Sequence, residues 1–320
     1  MKHFFYVVFG GITAVACGIL IAFVGRLFVV SVIPKLANIN LSFLADSIVS
    51  QPIDGTSISG LKRTVRYTAS EEEGLMSAAT LSLPNGSINT ISADAYMVKD
   101  LKTGKVIAES NPNKLLPIAS LTKLVTAVVA KRLIDGETKV QITREIINTY
   151  GNTAQFKIGE TFRAGDLSYP LLMVSSNDAA EALAKSYGRV KFIKTMNDFV
   201  QSIGAYRTTF YEPSGLSASS RSTVNDIAVI LDWIRINEPE IMAITETKTK
   251  VMRSHTWTNP AHFLSWSNYL GGKNGYTDEA DQTGAMLFEM GDKKDVYAVI
   301  VLGSNARDGD VVKLLAKISE

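Results

Sequence analysis

Pro117-Ile118-Ala119-Ser120-Leu121-Thr122-Lys123-Leu124 is the stretch from which the rest of this chain can be read. Downstream of Ser120 the apolar residues Leu121, Leu124, Val125, Val128, Val129 and Leu133 recur at helical intervals. This predicts a helix that stops near Asp135-Gly136. On such a helix Ser120 and Lys123 share a face, one turn apart. A hydroxyl and an amine held at that distance can form a nucleophile and its base. Serine alone is a poor nucleophile at neutral pH. A lysine kept neutral by partial burial and positive neighbours can take its proton. S-x-x-K also arises by chance in many helices, so the motif needs partners elsewhere in the chain.

Composition removes several alternatives. The 320 residues are 46% hydrophobic and 20% charged, enough to bury a core and to supply a membrane segment besides. The net charge of +2, from 33 basic and 31 acidic residues, is too balanced for a nucleic-acid-binding surface. A single cysteine, Cys17, excludes disulfides within the chain. The three histidines, His3, His255 and His262, form no H-E-x-x-H, and there is no C-x-x-C, so neither a metal site nor a cofactor is expected. A Ser-His-Asp triad would have to use His255 or His262, and neither sits in a recognisable catalytic setting.

Residues 4–25 carry no charge, and a second apolar run, 27–33, follows Arg26. That length can span a bilayer core and lacks a small-x-small exit at its end. We read residues 1–36 as an uncleaved membrane anchor, embedded through residues 4–33. Lys2 at one end and Arg26 and Lys35 at the other leave its orientation open. Residues 37–90, rich in Ser, Thr, Asn and Gly, read as a spacer. Residues 91–320 read as the folded domain.

Within that domain Ala93–Lys99 and Lys105–Glu109 read as a hairpin around Asp100-Leu101-Lys102-Thr103-Gly104. Residues 140–235 read as mainly helical. Asp166 is expected to cap a helix through Leu172, and Asp178 with Glu181 has capping-box spacing. Gly188 and Gly204 mark helix ends, and Thr223 with Asp226 opens a further helix. Strands return from Tyr269, at Gly284–Met290 and at Val296–Leu302, before a terminal helix over 309–318. Strands at both ends of a helical middle give an α+β layout: an antiparallel sheet flanked by helices, plus a mainly helical lobe.

Two further stretches join Ser120 and Lys123. Ser175-Ser176-Asn177 falls between predicted helices, and Lys273-Asn274-Gly275 falls in a predicted strand. Three such elements in this order occur in serine enzymes that acylate on β-lactams and D-alanyl peptides. From about Ser92 to Ile318 the chain resembles the low-molecular-mass penicillin-binding proteins that act as D-alanyl-D-alanine carboxypeptidases. The likeness rests on Leu116–Ala127 around the nucleophile motif, Leu171–Ala180 around the second, and Gly272–Ala280 around the third. Pro213-x-Gly215-Leu216 and Ser222-Thr223-x-x-Asp226 add to it.

The resemblance implies a β-lactamase-like fold of the penicillin-binding transpeptidase kind. It implies Ser120 as nucleophile, Lys123 as base and Ser175 as a proton relay. It assigns the oxyanion donors to the backbone N–H groups of Ser120 and Tyr276. Asn177, Lys273, Asn274, Gly275 and Tyr276 would bind substrate, and Arg307 is a further candidate for its carboxylate. Asn274 departs from the family, which usually has Thr or Ser there. The implied partners are peptidoglycan stem peptides and, as covalent inhibitors, β-lactams. The implied location is the bacterial cytoplasmic membrane, with the catalytic domain outside. Three alternatives stay open: an endopeptidase on peptide crosslinks, a class A-like β-lactamase using Glu212, and a non-catalytic wall-binding protein.

Overall fold

The structure, a computed structural model, describes residues 90–318. The expected anchor, and the spacer up to residue 89, lie outside the described residues. Among the described residues no helix is long and apolar enough to cross a membrane.

The domain opens with the expected hairpin, β1 (Ala95–Asp100) and β2 (Val106–Ser110). Asp100 sets its turn: Oδ1 accepts from the N–H groups of Lys102 and Thr103, and Oδ2 from the Thr103 hydroxyl. Short β3 (Leu116–Pro117) leads through a single 3-10 turn, Ala119–Leu121, into α1 (Thr122–Leu133). The helical lobe follows. It contains β4 (Lys139–Gln141), α2 (Arg144–Ile147), β5 (Thr161–Arg163), α3 (Ser168–Met173), α4 (Asn177–Tyr187) and α5 (Arg189–Ser202). After β6 (Arg221–Ser222) come α6 (Val224–Asn237), α7 (Pro239–Glu246), and the ribbon of β7 (Thr249–Met252) and β8 (His255–Thr258). The chain ends in β9 (Tyr269–Thr277), β10 (Asp281–Met290), β11 (Asp295–Ser304) and α8 (Arg307–Ala316).

The sheet order is β2-β1-β11-β10-β9, antiparallel throughout. The first strand therefore lies beside the last, and the helical lobe is an insertion between β2 and β9. The two faces of the sheet serve different cores. Along β11, Ala298, Ile300 and Leu302 join the large core shared with the helical lobe. Val299 and Val301 join a second core beneath Val311, Leu314 and Leu315 of α8. Strands buried on both faces are apolar at successive positions, as Val296–Leu302 is.

Helix α1 is the axis of the lobe. Residues 122–130 are all buried, so the helix is enclosed by its neighbours rather than amphipathic. Its backbone and packing hold Lys123 in an interior that the sequence alone describes only as partly buried.

Two capping expectations are corrected. Asp166 does not cap α3: the N-cap position is Leu167, without a side-chain bond. Turn bonds from Asp166 N to Arg163 O and from Tyr169 N to Asp166 O already supply backbone partners there. Asp178 does not cap α4 either. Ser176, in extended conformation, is the cap, and its Oγ accepts from Ala179 N at 3.0 Å. Asp178 lies inside the first turn, and Glu181 pairs with Arg189. Thr223 caps α6 as expected, and Gly188 and Gly204 take positive φ at helix ends.

Candidate active site

Ser120 stands on a strained turn. Ala119, just before it, has φ +46°, a left-handed conformation that costs a residue with a Cβ on the order of 1 kcal/mol. Two glycines allow the surroundings to close on this turn. A Cβ on Gly215, which has φ +88°, would collide with the Ala119 carbonyl. A Cβ on Gly275 would lie 2.8 Å from the Ser120 amide nitrogen. Thr283 Oγ1 adds a hydrogen bond to Ile118 O at 3.2 Å. The third motif thus reaches Ser120 through backbone contact, with Gly275 as the point of approach.

Lys123 is fully buried and its Nζ has three neighbours. Ser120 Oγ is at 2.8 Å, Asn177 Oδ1 at 2.7 Å and the Ser214 carbonyl oxygen at 2.6 Å. A neutral amine fits this triangle. Two N–H groups serve the amide and carbonyl oxygens, and the lone pair is left for the serine O–H. Burial, then the charge of Lys273, holds the Lys123 ammonium well below its ordinary range, while Glu212 acts in the opposite direction. Such an arrangement can pass a hydroxyl proton to the amine.

Asn177 is oriented by a second bond, its Nδ2 donating to Tyr150 O at 2.7 Å. The structure therefore places both polar ends of this side chain on protein groups. Ser175 has φ +57°, and its Oγ is buried without a hydrogen-bond partner. Lys273 is nearly enclosed and donates to the Asn274 carbonyl at 2.8 Å, not to Ser120 or Ser175. Burial, then Arg307, brings its ammonium down to about 7.

A cleft of about 350 Å³ gathers Ser120 with residues 172–175, 259–261 and 272–276, and with Arg307. Tyr276 is 62% exposed at its edge, with its hydroxyl donating to Asp278. A larger cavity of about 610 Å³ between α1, α3 and α7 is lined mostly by apolar and small residues, with Lys131 and Glu240 among them, and contains none of these groups.

Sequence reasoning missed Ser214 and Tyr150, which act through backbone carbonyls and carry no side-chain signal. It offered Glu212 only as the water activator of the β-lactamase alternative, not as a structural residue. That carboxylate accepts from Ser214 N, Ser214 Oγ, Gly215 N and Ser217 N. It is the organiser of the loop that brings the Ser214 carbonyl to Lys123. The Glu-Pro-Ser-Gly run at 212–215 was the available signal.

Residues 80–305 match the family described as D-alanyl-D-alanine carboxypeptidase, Peptidase S11. The chain belongs to this family. A D-alanyl-D-alanine endopeptidase of Escherichia coli is 32% identical over 216 residues, covering 65% of this chain and 67% of that protein. The D-alanyl-D-alanine carboxypeptidase DacB2 of Mycobacterium tuberculosis is 30% identical over 232 residues, covering 70% of this chain and 78% of its own. Among solved structures, a D-alanyl-D-alanine carboxypeptidase of M. tuberculosis superposes with TM-score 0.66 at 27% identity, over 75% of this chain and 94% of that one. Penicillin-binding protein D2 of Listeria monocytogenes, solved with cefotaxime bound, gives 0.65 at 26%, over 74% and 98%. The expected α+β fold of antiparallel sheet, flanking helices and helical lobe is that of these solved structures.

Proposed function

We propose that this protein is a serine D-alanyl-D-alanine carboxypeptidase that removes the terminal D-alanine from peptidoglycan stem pentapeptides. The observation that carries the reading is the enclosed Lys123 amine, 2.8 Å from Ser120 Oγ at the wall of an open cleft.

Ser120 Oγ attacks the carbonyl of the penultimate D-alanine, and its proton passes to Lys123 Nζ. Backbone N–H groups at Ser120 and Tyr276 receive the developing oxyanion. Removing one such donor typically costs about 10²–10³ in rate. When the tetrahedral intermediate collapses, the C–N bond breaks and D-alanine leaves as an amine, taking a proton from Lys123 through the Ser175 hydroxyl. Water then attacks the ester carbonyl and gives a proton to Lys123; the C–Oγ bond breaks, and Ser120 Oγ takes that proton back, which restores the hydroxyl and the neutral amine. Asn177 serves chiefly to hold Lys123, with one amide N–H left for substrate. Lys273 helps keep Lys123 neutral.

β-Lactams would acylate the same hydroxyl. A fluorescent penicillin that labels the wild type and not Ser120→Ala, followed by intact mass, tests the reading. Labelling that survives the substitution overturns it. One second reading has an observation behind it: endopeptidases of E. coli and Pseudomonas aeruginosa are each 32% identical to this chain. Cleavage of a crosslinked dimer in preference to D-alanine release from a pentapeptide would favour it. The class A-like β-lactamase loses its support, because Glu212 is engaged with its own loop. Retention of Ser120, Lys123, Ser175 and Lys273 in one constellation disfavours a non-catalytic wall-binding role. The apolar runs 4–25 and 27–33 support placing the enzyme at the cytoplasmic membrane, and the peptidoglycan substrate, rather than the flanking charges, supports placing its domain outside.

A further inference from the structure

Arg307 lines the cleft and stands close enough to Lys273 to depress its ammonium. Its stem lies over Gly284, where a Cβ would come within 2.8 Å of Cδ, and Gly284 pairs with Asn274 on β9. A displacement of about 1 Å at a group that binds substrate can cost about 10² in rate. What holds the backbone at Arg307 therefore matters to the cleft, and it lies outside the cleft.

Two residues, Asn305 and Ala306, separate β11 from Arg307, the first residue of α8. No side chain caps the helix from the Ala306 position. Instead, the two backbone N–H groups land on two serine hydroxyls. Asn305 N donates to Ser92 Oγ at 3.2 Å, and Ala306 N to Ser304 Oγ at 3.0 Å. Both hydroxyls in turn donate to Asp310 Oδ2, at 2.6 and 2.7 Å. Asp310 Oδ1 accepts from Ser92 N at 3.0 Å. The Asp310 N–H closes the ring on the Ala306 carbonyl at 2.8 Å.

Asp310 and Ser304 are fully buried. A buried carboxylate is costly unless its lone pairs are met, and its hydrogen bonds are stronger than those between neutral groups. Each serine has one O–H, and Asp310 takes it, so each must turn a lone pair toward the backbone N–H beside it. The direction of every bond along the turn is thereby set, and the turn into α8 has one geometry. Ser92, 218 positions before Asp310, belongs to the segment that enters the domain. None of Ser92, Ser304 and Asp310 lines the cleft.

We infer that Asp310, acting through Ser92 and Ser304, is a positioning residue that places Arg307 for the carboxylate of the substrate's terminal D-alanine. The inference rests on the peptidase reading above. Two peptides differing only in a terminal D-alanine or D-alaninamide report the carboxylate contact, as the ratio of their kcat/KM values on the full-length enzyme. Where the amide turns over too slowly, competition against fluorescent-penicillin labelling gives the ratio. Arg307→Gln is expected to lower the preference for the carboxylate by about tenfold. Asp310→Asn and Ser92→Ala are each expected to lower it by about fivefold, through KM for the carboxylate peptide, with the amide peptide changed by less than about twofold. Ser92→Thr keeps the hydroxyl and should keep the preference. Asp310→Asn added to Arg307→Gln should lower it no further, because the aspartate acts through the arginine.

A ratio unmoved by Asp310→Asn and Ser92→Ala, an equal loss on both peptides, or a further fall in the double variant overturns the inference. If Asp310→Asn does not fold, Ser92→Ala, at a half-buried residue, carries the same comparison alone and with Arg307→Gln. If Arg307→Gln leaves the ratio unchanged, the inference fails while penicillin labelling at Ser120 still upholds the peptidase reading. If penicillin does not label the wild type, both have failed.

Discussion

Gly275 approaches Ser120 so closely that a Cβ on it would lie 2.8 Å from the Ser120 amide nitrogen. The last strand of the cleft and the serine turn are thus in backbone contact, and the third motif is glycine at that position for steric reasons. Gly275→Ala is expected to push β9 away from the turn. If Ser120 N–H and Tyr276 N–H are the oxyanion donors proposed above, the rate of penicillin acylation should fall by about 10²-fold or more, since they lie on the elements forced apart. Stopped-flow acylation measures this. Unchanged kinetics would mean that β9 and the turn can separate without harm.

The pH dependence of acylation should report Lys123. Only its neutral form can take the serine proton, so the rate rises with pH through a pKa held well below the usual lysine value. Lys273 is the neighbouring positive charge that helps to depress it. Lys273→Met removes that charge, so the Lys123 pKa rises and the acid limb moves to higher pH, whatever happens to the maximal rate. A pH–rate profile of each protein decides it, and a limb that stays in place rejects the coupling.

Glu212 accepts four hydrogen bonds within its own loop. Glu212→Gln should destabilise the domain by roughly 2–4 kcal/mol and slow acylation, because the Ser214 carbonyl loses its support. Acyl-enzyme lifetime should be little affected. A variant that acylates normally but whose acyl-enzyme persists far longer would reinstate Glu212 as an activator of water.

Asp178 is buried, and neither carboxylate oxygen has a hydrogen-bond partner. Burial pushes its carboxyl up to about 6, from 3.8. Between those values the native state binds the proton more tightly than the unfolded chain, so stability falls as pH rises through the window and stays lowered above it. Asp178→Asn should therefore stabilise the protein at pH 7.5, by up to about 3 kcal/mol, and make no difference below pH ~3.5. Thermal melts at both pH values check this.

The proximity of Ser120 and Lys123 was legible because they lie three residues apart, although Ser120 stands on the 3-10 turn that leads into α1 and not on the helix that the periodicity suggested. The two later motifs were legible only by order and resemblance, since Asn177 reaches Lys123 across 54 residues and Gly275 reaches the Ser120 turn from the far end of the chain. Backbone acceptors such as Ser214 O and Tyr150 O leave no residue-type signature. The helix starts at Ser168 and Asn177 were misread for a related reason. Preceding turns or a neighbouring serine supplied the caps, so an acidic residue at a plausible offset was not needed. The central sheet could be anticipated from apolar runs. The division of β11 between two cores follows from its alternation only once α8 is known to cover one face.

The neighbourhood of β1 and β11 has a temporal consequence. A ribosome or a translocation pore delivers the hairpin of residues 95–110 long before its partner at 295–304 exists. Until then β1 has one unpaired edge and the helices of the insertion have no floor. Closure across that separation is slow and late. The emerging polypeptide remains threadable until nearly its whole length is available, and only then does the cleft come into being.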